Sequence, residues 1–295
     1  MELTLQPGKY VVAVSGGVDS AVLLHVLAQR SDLQLVVTHF DHGIRSDSAK
    51  DRQLVGELAH RHGLPFVYHE GKLGRQASEA TAREARYNFL HTVRQASRAR
   101  AVITAHHQDD LLETIILNLL RGTGRRGLSS LKSTDIVKRP LLHLPKKELL
   151  RYAESEGLVW REDSTNQDES YLRNYVRKNI LSRFAESDRE ALLEINRRAH
   201  ELDGAISKQV TNYLHIQPQA ARLDRHQFIM LPHAVAREIM AEWLRIHTGA
   251  ELSRKLLERL VTAAKTGQPG SKVDVDAGHW LMIGRTTLAL EPRER

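Results

Sequence analysis

The stretch VVAVSGGVDSAVLLHVLA, residues 11–28, decides how the start of this chain folds. It opens as an apolar β-like run, breaks at Gly16 and Gly17, and continues with helical character. A strand, a glycine turn and a helix start together make a phosphate site, because N–H groups at a helix N-terminus bind anions and glycine permits close approach. No Gly-Lys-Ser/Thr follows, so this loop is not a Walker A motif.

The polar side chains of the loop extend the phosphate hypothesis. Ser15 and Ser20 add hydroxyl donors to the backbone of residues 16–18. Asp19 would repel a phosphate unless a cation lay between them, and Mg²⁺ bridges carboxylates and phosphates in this way. Asp19 is therefore the candidate metal ligand. The alternative is a plain turn in which Asp19 and Ser20 cap the helix.

Composition narrows the class of protein. The 295 residues suggest two domains, at a prior of about 150 residues each, and the net charge of +7 favours a polyanionic partner or simply solubility. The chain contains no cysteine, which excludes disulfides, thiolate catalysis, iron–sulfur clusters and persulfide carriers. The N-terminus MELTLQPGKY lacks signal-peptide features and no apolar run has membrane-helix length, so we expect a cytoplasmic protein.

Apolar β-branched runs alternate with helical stretches after the glycine turn. Further strands are predicted at 33–40, 66–70 and 101–107, and helices at 46–62, 78–98 and 109–120. This alternation predicts an α/β fold with a parallel sheet and helices on both faces, in which ligands bind at the carboxyl ends of the strands. The unusual polar residues, at 15–20, 41–43 and 106–110, all follow predicted strands.

The composition changes after Phe184. Residues 192–214 and 234–265 have amphipathic helical patterns, and the tail resembles a β-hairpin that turns near Ala277 and Gly278. We therefore predict two domains, a catalytic domain at 1–185 and a smaller, mostly helical recognition domain at 186–295 that ends in a β-hairpin.

Five motifs in sequence order point to a known family. SGGVDS directly after a first strand resembles the pyrophosphate loop of the ATP pyrophosphatases, the PP-loop superfamily. The others are FDHGIR at 40–45, TAREARYNFL at 81–90, TAHHQDDLLETIILNLLRGTGRRGLSSL at 104–131 and REDSTNQDESYLRNYVRKNIL at 161–181. In this order and spacing they resemble the tRNA(Ile)-lysidine synthetase family over roughly residues 11–183.

The resemblance implies a ligase that uses ATP and Mg²⁺ in tRNA modification. Members transfer AMP to the ring oxygen of the first anticodon base, a cytidine of tRNA(Ile) with a CAU anticodon, and free L-lysine then displaces AMP to form lysidine. Related thiolation enzymes need cysteines, which are absent here. The alternatives are another PP-loop tRNA-modifying or small-molecule amidating enzyme, and a catalytically silent tRNA-binding protein of the same fold.

The resemblance also implies roles for individual residues. Asp110 and Glu113 share a helix face and are candidates to bind the lysine ammonium and take its proton, or merely to favour the helix dipole, with Asp109 as the cap. One histidine of the 106–107 pair is expected to line the nucleotide pocket. The predicted catalytic residues are Asp19, Asp41, Arg83, Asp110 and Glu113, and the metal ligand is Asp19. The predicted nucleotide contacts are Ser15, Gly16, Gly17, Val18, Asp19, Ser20, Arg83, Arg86, His106 and Arg173.

Basic residues beside this site suit contacts with an RNA backbone, although a solvated loop is the alternative. They are Arg121, Arg125, Arg126, Lys132, Lys138 and Arg139, extended by Arg177, Lys178 and Arg183.

Leu111 stands where the family usually has Gln, which alters the local geometry. The chain ends after the hairpin, where some members carry a further module, so we expect acceptor-stem recognition to be weaker or different. A homodimer would be unsurprising.

Overall fold

A computed structural model gives the architecture of the chain. It describes residues 1, 3–43, 48–71, 74, 78–123, 125–161, 172–216, 221–249 and 252–293. Parts of three predicted motifs, residues 44–45, residue 124 and residues 162–171, lie outside this set. No helix within the described ranges combines the length and apolar composition that a membrane crossing requires. The chain divides into two compact units, Met1–Ala199 and His200–Arg295.

A parallel sheet of five strands, in the order β3-β2-β1-β4-β5, forms the centre of the first unit. Because all strands run the same way, their carboxyl ends open on one edge, where the predicted polar residues follow. The strands are β1 (Gly8–Ala13), β2 (Leu33–Asp41), β3 (Phe66–Glu70), β4 (Ala101–Ile103) and β5 (Val137–Lys138).

Helices connect these strands and continue the chain towards the second unit. The helices of this part are α1 (Val18–Ala28), α2 (Ser48–Arg61), α3 (Glu79–Ala96), α4 (Gln108–Leu120), α5 (Arg125–Leu128), α6 (Lys146–Ser155), α7 (Leu172–Tyr175) and α8 (Glu186–Ile216). Between α7 and α8 lie a π-helical turn, Val176–Ile180, and a 3₁₀ turn, Leu181–Arg183.

The sheet is covered on both faces, as its nearly continuous apolar strands require. Val12 and Val37 belong to a cluster with Leu24 of α1 and Leu149 of α6. The neighbouring residue Val11 turns to the other face and packs with residues of α3. Successive strand residues point to opposite faces, so one apolar run supplies both layers of the core.

The second unit has its own core and a separate antiparallel sheet. Four strands lie in the order β6-β9-β8-β7, and Phe228, Trp243 and Leu281 are buried between the sheet and its helices. The elements are β6 (Arg222–Asp224), α9 (Arg225–Met230), α10 (His233–Thr248), α11 (Arg254–Thr266), β7 (Lys272–Asp274), β8 (His279–Ile283) and β9 (Thr287–Pro292).

The predicted fold class, an α/β parallel-sheet unit followed by a mostly helical part that ends in a β-hairpin, is confirmed. Two local expectations are wrong. The strand predicted at 101–107 ends at Ile103, and the helical stretch at 234–265 is interrupted at Gly249, whose φ of +66° terminates α10. The division between the compact units falls inside α8. The domain boundary at 185/186 stays a prediction.

Candidate active site

The loop between β1 and α1 presents its backbone at the carboxyl edge of the sheet. Gly16 has a φ of +96°, a conformation that favours glycine, and Gly17 is the N-cap of α1 without a side-chain cap. Ser20 turns inward: its hydroxyl donates to the Gly17 carbonyl at 2.8 Å and accepts from the N–H groups of Ser15 and Gly16 at 3.1 and 3.2 Å. Ser20 therefore holds the shape of the loop from inside, and Val18 is buried beneath it.

Asp19 points in a different direction from Ser20. Both its carboxylate oxygens accept hydrogen bonds from Lys146 Nζ, at 2.6 Å each, and His107 Nε2 lies 3.6 Å from Oδ2. Burial alone raises the pKa of Asp19, but His107 and Lys146 outweigh it and hold the pKa below its usual value. The carboxylate is thus kept ionised beside the loop, and the alternative in which Asp19 only caps the helix is not observed.

His107 begins α4 and is surrounded by carboxylates. Its ring nitrogens lie 3.5 to 3.7 Å from oxygens of Asp19, Asp109 and Asp110, and the side chain is almost fully buried. Burial lowers the pKa of His107, but the Asp19 and Asp110 carboxylates outweigh it and raise the pKa. We call His107 with these three aspartates the carboxylate region.

The two aspartates at the start of α4 have roles that differ from the prediction. Asp110, not Asp109, caps the helix, because its Oδ2 accepts the backbone N–H of His107 at 3.0 Å. Asp109 instead accepts the backbone N–H of Lys146 at 2.8 Å and a hydrogen bond from Arg189 at 2.8 Å. Asp109 therefore joins the start of α4 to α6 and α8.

Glu113 lies one turn further along α4 and is completely buried. Arg177 donates to both of its oxygens, at 2.6 and 3.2 Å, and Arg173 Nε lies 3.4 Å from Oε2. Burial raises the pKa of Glu113, and the interaction with Arg177 opposes this without cancelling it. Arg177, predicted to extend an RNA-binding surface, therefore turns towards a buried carboxylate.

Arginines gather around the other histidine, His106. Burial and the positive charges of Arg139, Arg86, Arg83 and Arg173 hold the pKa of His106 well below its usual value. Thr104 Oγ1 lies 2.8 Å from His106 Nδ1. We call His106 with these four arginines the arginine region. It has the excess of positive charge expected where an anion binds.

Two features of the arginine region suit a bound anion. The guanidinium carbons of Arg83 and Arg86 both lie close to the ring of Tyr87, 4.8 and 5.5 Å from its centroid. Within the described part of the chain, the buried Nε atoms of Arg86 and Arg139 have no hydrogen-bond partner. Buried polar groups are nearly always satisfied, so a ligand is the natural partner for these donors.

Asp41, at the end of β2, is buried and its Oδ1 accepts the N–H of Gly43 at 2.8 Å. This contact gives Asp41 a turn-stabilising role in the structure, and its predicted assistance to catalysis stays a prediction.

Arg161 contacts the other side of the phosphate loop. Its backbone N–H donates to the Gly16 carbonyl at 2.9 Å, and its Nε donates to Asp51 Oδ1 at 2.7 Å.

The basic loop after α4 is held by two asparagines. Asn118 Nδ2 donates to the carbonyl of Gly127 at 2.8 Å, and Asn196 Nδ2 donates to the carbonyl of Leu128 at 2.5 Å. A side chain on Gly127 would lie 2.1 Å from Thr123 Oγ1, so the turn requires glycine here. Gly124 and the side chain of Arg126 lie outside the described residues.

The donor set at this edge fits one particular kind of metal site. No group of three or more His, Cys, Asp or Glu side chains in the described ranges is arranged to hold a metal ion. Mg²⁺ commonly takes one or two carboxylates and completes its shell with phosphate oxygens and water. The ionised Asp19 beside a phosphate loop fits this pattern.

Sequence reasoning missed two contacts that shape the site. Neither Lys146 nor Arg189 is among the predicted site residues, yet they pair with Asp19 and Asp109. The adjacent histidines fall within the strand predicted at 101–107. They lie instead in the turn after β4, and they face environments of opposite charge.

Comparison with known proteins identifies relatives of the whole chain and of its first unit. A family model described as the PP-loop domain matches residues 3–184. Thermus thermophilus has a tRNA(Ile)-lysidine synthase that is 42% identical over 206 residues, covering 62% of this chain and 40% of that protein. The corresponding protein of Solibacter usitatus is 39% identical over 189 residues, covering 63% and 43%.

A longer match extends into the second unit. The tRNA(Ile)-lysidine synthase of Exiguobacterium sibiricum is 32% identical over 287 residues, covering 95% of this chain and 68% of that protein. The chain thus spans about two-fifths of the length of the Thermus and Solibacter relatives in their matches.

The fold is also found in a solved structure. A U34-tRNA thiolase from Methanococcus maripaludis has a TM-score of 0.56 at 19% identity, covering 67% of this chain and 73% of that chain. At this identity the likeness concerns the fold alone. The family match and the Exiguobacterium relative show that this chain belongs to the PP-loop family, among the tRNA(Ile)-lysidine synthases.

Proposed function

We propose that this chain ligates free L-lysine to the cytidine at the first anticodon position of tRNA(Ile) with a CAU anticodon, using ATP and releasing AMP and pyrophosphate. One observation carries the proposal. A glycine loop of phosphate-binding type, an arginine region and a carboxylate region meet at one sheet edge, where His106 and His107 are adjacent. The names of the Thermus, Solibacter and Exiguobacterium relatives support the same reaction.

The phosphate loop would hold the β- and γ-phosphates of ATP. Gly17 is partly exposed at the start of α1, and Ser20 already fixes the loop in shape, so little reorganisation is needed on binding. Asp19 would hold Mg²⁺, which neutralises phosphate charge when bound. The loop leaves the α-phosphate available for attack by the ring oxygen of the cytidine.

The arginine region would take the charge that develops on this phosphate. Arg83 and Arg86 are on one face of α3, and Arg173 approaches the same place from α7. Neutral His106 adds a hydrogen-bonding group without a charge that would compete with the arginines. Preorganised cations around a reacting phosphate stabilise its transition state, because they need no rearrangement as charge builds up.

The carboxylate region would take lysine. Asp110 keeps 18% of its side chain exposed and can reach an ammonium, whereas Glu113 is completely covered. We assign the contact with lysine, and removal of its proton, to Asp110. Glu113 acts through Arg177 as a positioning residue, because the pair fixes the side of α4 behind Asp110. Free lysine and homodimer formation are parts of the proposal that need their own tests.

The RNA would lie along the basic loop after α4. Arg121 and Arg125 border a turn that Asn118 fixes through the carbonyl of Gly127. Backbone contacts of this kind position a nucleic acid, while the base is selected in the pocket. An anticodon substrate implies a cytoplasmic location.

One assay tests the proposal. The protein is incubated with ATP, Mg²⁺, radiolabelled lysine and a tRNA(Ile) transcript with a CAU anticodon, and label in RNA, AMP and pyrophosphate are measured. We expect all three products in equal amounts. A failure to incorporate lysine, or equal activity on a transcript with uridine at the first anticodon position, would refute the reaction.

A matched pair of variants keeps the assay specific. Asp110→Asn removes the proposed lysine contact, and Asp135→Asn removes the same charge from an exposed loop position. We expect Asp110→Asn to abolish lysine transfer while AMP transfer to the RNA continues. Asp135→Asn should retain both steps. Equal loss in the two variants would contradict the assignment of Asp110.

A further inference from the structure

Lys146 is fixed in space at both ends of its side chain. Its backbone N–H, at the start of α6, donates to Asp109 Oδ2 at 2.8 Å, and its Nζ donates to both oxygens of Asp19 at 2.6 Å. α6 packs against α1, which carries Asp19, in the same core cluster. The pairing is therefore part of the scaffold and is not a chance meeting of two surface side chains.

The ammonium of Lys146 lies where a cation would bind. Because the ammonium donates to both oxygens of Asp19, it would compete with any other cation for this carboxylate. The side chains of Lys146 and Asp19 are 35% and 24% exposed, so the position is reachable from solvent. A lysine stem has four rotatable carbons, so its ammonium can move while the backbone stays fixed.

We propose that Lys146 is the resident counterion of Asp19: its ammonium holds the metal position while no nucleotide is bound and moves onto phosphate oxygens when the magnesium-nucleotide complex arrives. The inference rests on the proposed function only in placing the metal of a nucleotide at Asp19. It requires neither lysine nor tRNA as a substrate. Lys146 is then a positioning residue for the nucleotide.

The consequence is an order of binding. A divalent cation that arrives alone must displace the ammonium from both oxygens of Asp19 with no phosphate present to receive it. A cation that arrives with a triphosphate brings its own acceptor for the ammonium. The site is therefore expected to bind the metal with the nucleotide and not before it.

The test measures Mn²⁺ binding by the loss of its free electron paramagnetic resonance signal, with no nucleotide present. Lys146→Gln frees Asp19, so we expect it to bind one Mn²⁺ about tenfold more tightly than the unaltered protein, the effect of losing a half-buried ion pair. Asp19→Asn combined with Lys146→Gln should lose that gain. Lys147→Gln is the matched control, because Lys147 is the next residue, is 58% exposed and pairs only loosely with Glu186 at 3.5 Å.

A second measurement follows the ammonium to the phosphates. Calorimetric titration with Mn²⁺ and ATP together should show about tenfold weaker binding in Lys146→Gln and nearly unchanged binding in Lys146→Arg, which keeps the charge. Circular dichroism melts of all variants establish that each is folded, and Lys146→Met replaces Lys146→Gln if the latter is not.

Three results would overturn the inference. The unaltered protein binds Mn²⁺ alone as tightly as Lys146→Gln does, the gain persists without the Asp19 carboxylate, or Lys147→Gln shows the same gain. Failure of the lysine-transfer assay with the expected Mn²⁺ behaviour would refute only the proposed reaction, so the two failures are distinguishable.

Discussion

The arginine region and the carboxylate region differ in charge although their central residues, His106 and His107, are neighbours in sequence. Four arginines and burial hold the pKa of His106 well below its usual value. Around His107 burial acts in the same direction, but the Asp19 and Asp110 carboxylates outweigh it and raise the pKa. Two consecutive residues thus lie in two different environments, one suited to anions and one suited to cations.

The opposite pKa shifts of His106 and His107 show that burial alone does not decide the protonation of these histidines. Both rings are largely enclosed, so the sign of the neighbouring charges decides the outcome. A reaction between a polyanionic nucleotide and a cationic amine needs both environments within a short distance. The carboxyl edge of a parallel sheet provides this, because residues from several strands and helix N-termini converge there.

The largest expected effect comes from Asp19→Asn, which removes a charge from the carboxylate region with little change in shape. We expect ATP-dependent lysine transfer to fall at least ~100-fold, because the metal that neutralises the phosphates loses its protein ligand. Affinity for tRNA, measured by filter binding, should hardly change. A large loss of RNA affinity, or a lowered unfolding midpoint, would make Asp19 a structural residue and weaken the contrast between the regions.

The arginine region is tested by Arg86→Ala. Among the described residues its buried Nε has no hydrogen-bond partner, so a bound phosphate would gain a charge-assisted contact. We expect ATP to bind roughly 10- to 100-fold more weakly by calorimetric titration, because such contacts contribute about 1.5–3 kcal/mol each. Arg61→Ala, on the exposed end of α2, is the matched control and should bind ATP normally. Equal weakening in both variants would remove the basis for an anion site here.

The contrast itself can be measured by titration of the histidine ring protons in NMR, with assignments from His106→Gln and His107→Gln. His107 should titrate above, and His106 well below, the usual histidine value. The effect of each histidine on the free energy of unfolding follows from its pKa shift. Protonated His107 stabilises the fold below the unfolded-state pKa, and this stabilisation is lost as the pH rises through the folded-state pKa of His107. His106 has the opposite effect, because it destabilises the fold as the pH falls. In His106→Gln and His107→Gln, the free energy of unfolding measured in urea should therefore depend less on pH than it does in the unaltered protein. Two similar titration curves would break the comparison.

Asp109→Asn should have the smallest effect. The change weakens the hydrogen bonds from Lys146 and Arg189, so we expect a loss of about 1 kcal/mol in the free energy of unfolding. It also removes one carboxylate near His107, whose pKa should fall slightly. Lysine transfer should change only a few-fold. A loss as large as that of Asp19→Asn would mean that the carboxylate region does not act through Asp19.

The parts of the fold that sequence predicts best are those with a local signal. The apolar runs around Val12 and Val37 and the glycine break at Gly16 predict a parallel sheet with a phosphate loop, as observed. The polar residues at 15–20, 41–43 and 106–110 meet at one edge because of the topology. Each of these inferences depends on patterns only a few residues long.

The charge pairs of the site carry no such signal. Lys146 meets Asp19 across 127 positions, Arg189 meets Asp109 across 80, and Arg177 meets Glu113 across 64. The chain has 43 lysines and arginines, so composition does not indicate which of them turns inward. For this reason Arg177 was predicted on an outer surface and Lys146 received no role.

The π-helical turn at Val176–Ile180 has a consequence for how the site tolerates change in length. It lies directly after α7, and its closing N–H, that of Leu181, bonds to the Val176 carbonyl five residues back. Arg173 before the turn and Arg177 within it both reach Glu113. Each residue in a helix advances the side chain by about 100°, so deleting one residue here would swing Arg177 away and leave a buried carboxylate uncompensated. Insertions and deletions within this segment should therefore be tolerated as poorly as replacement of its arginines.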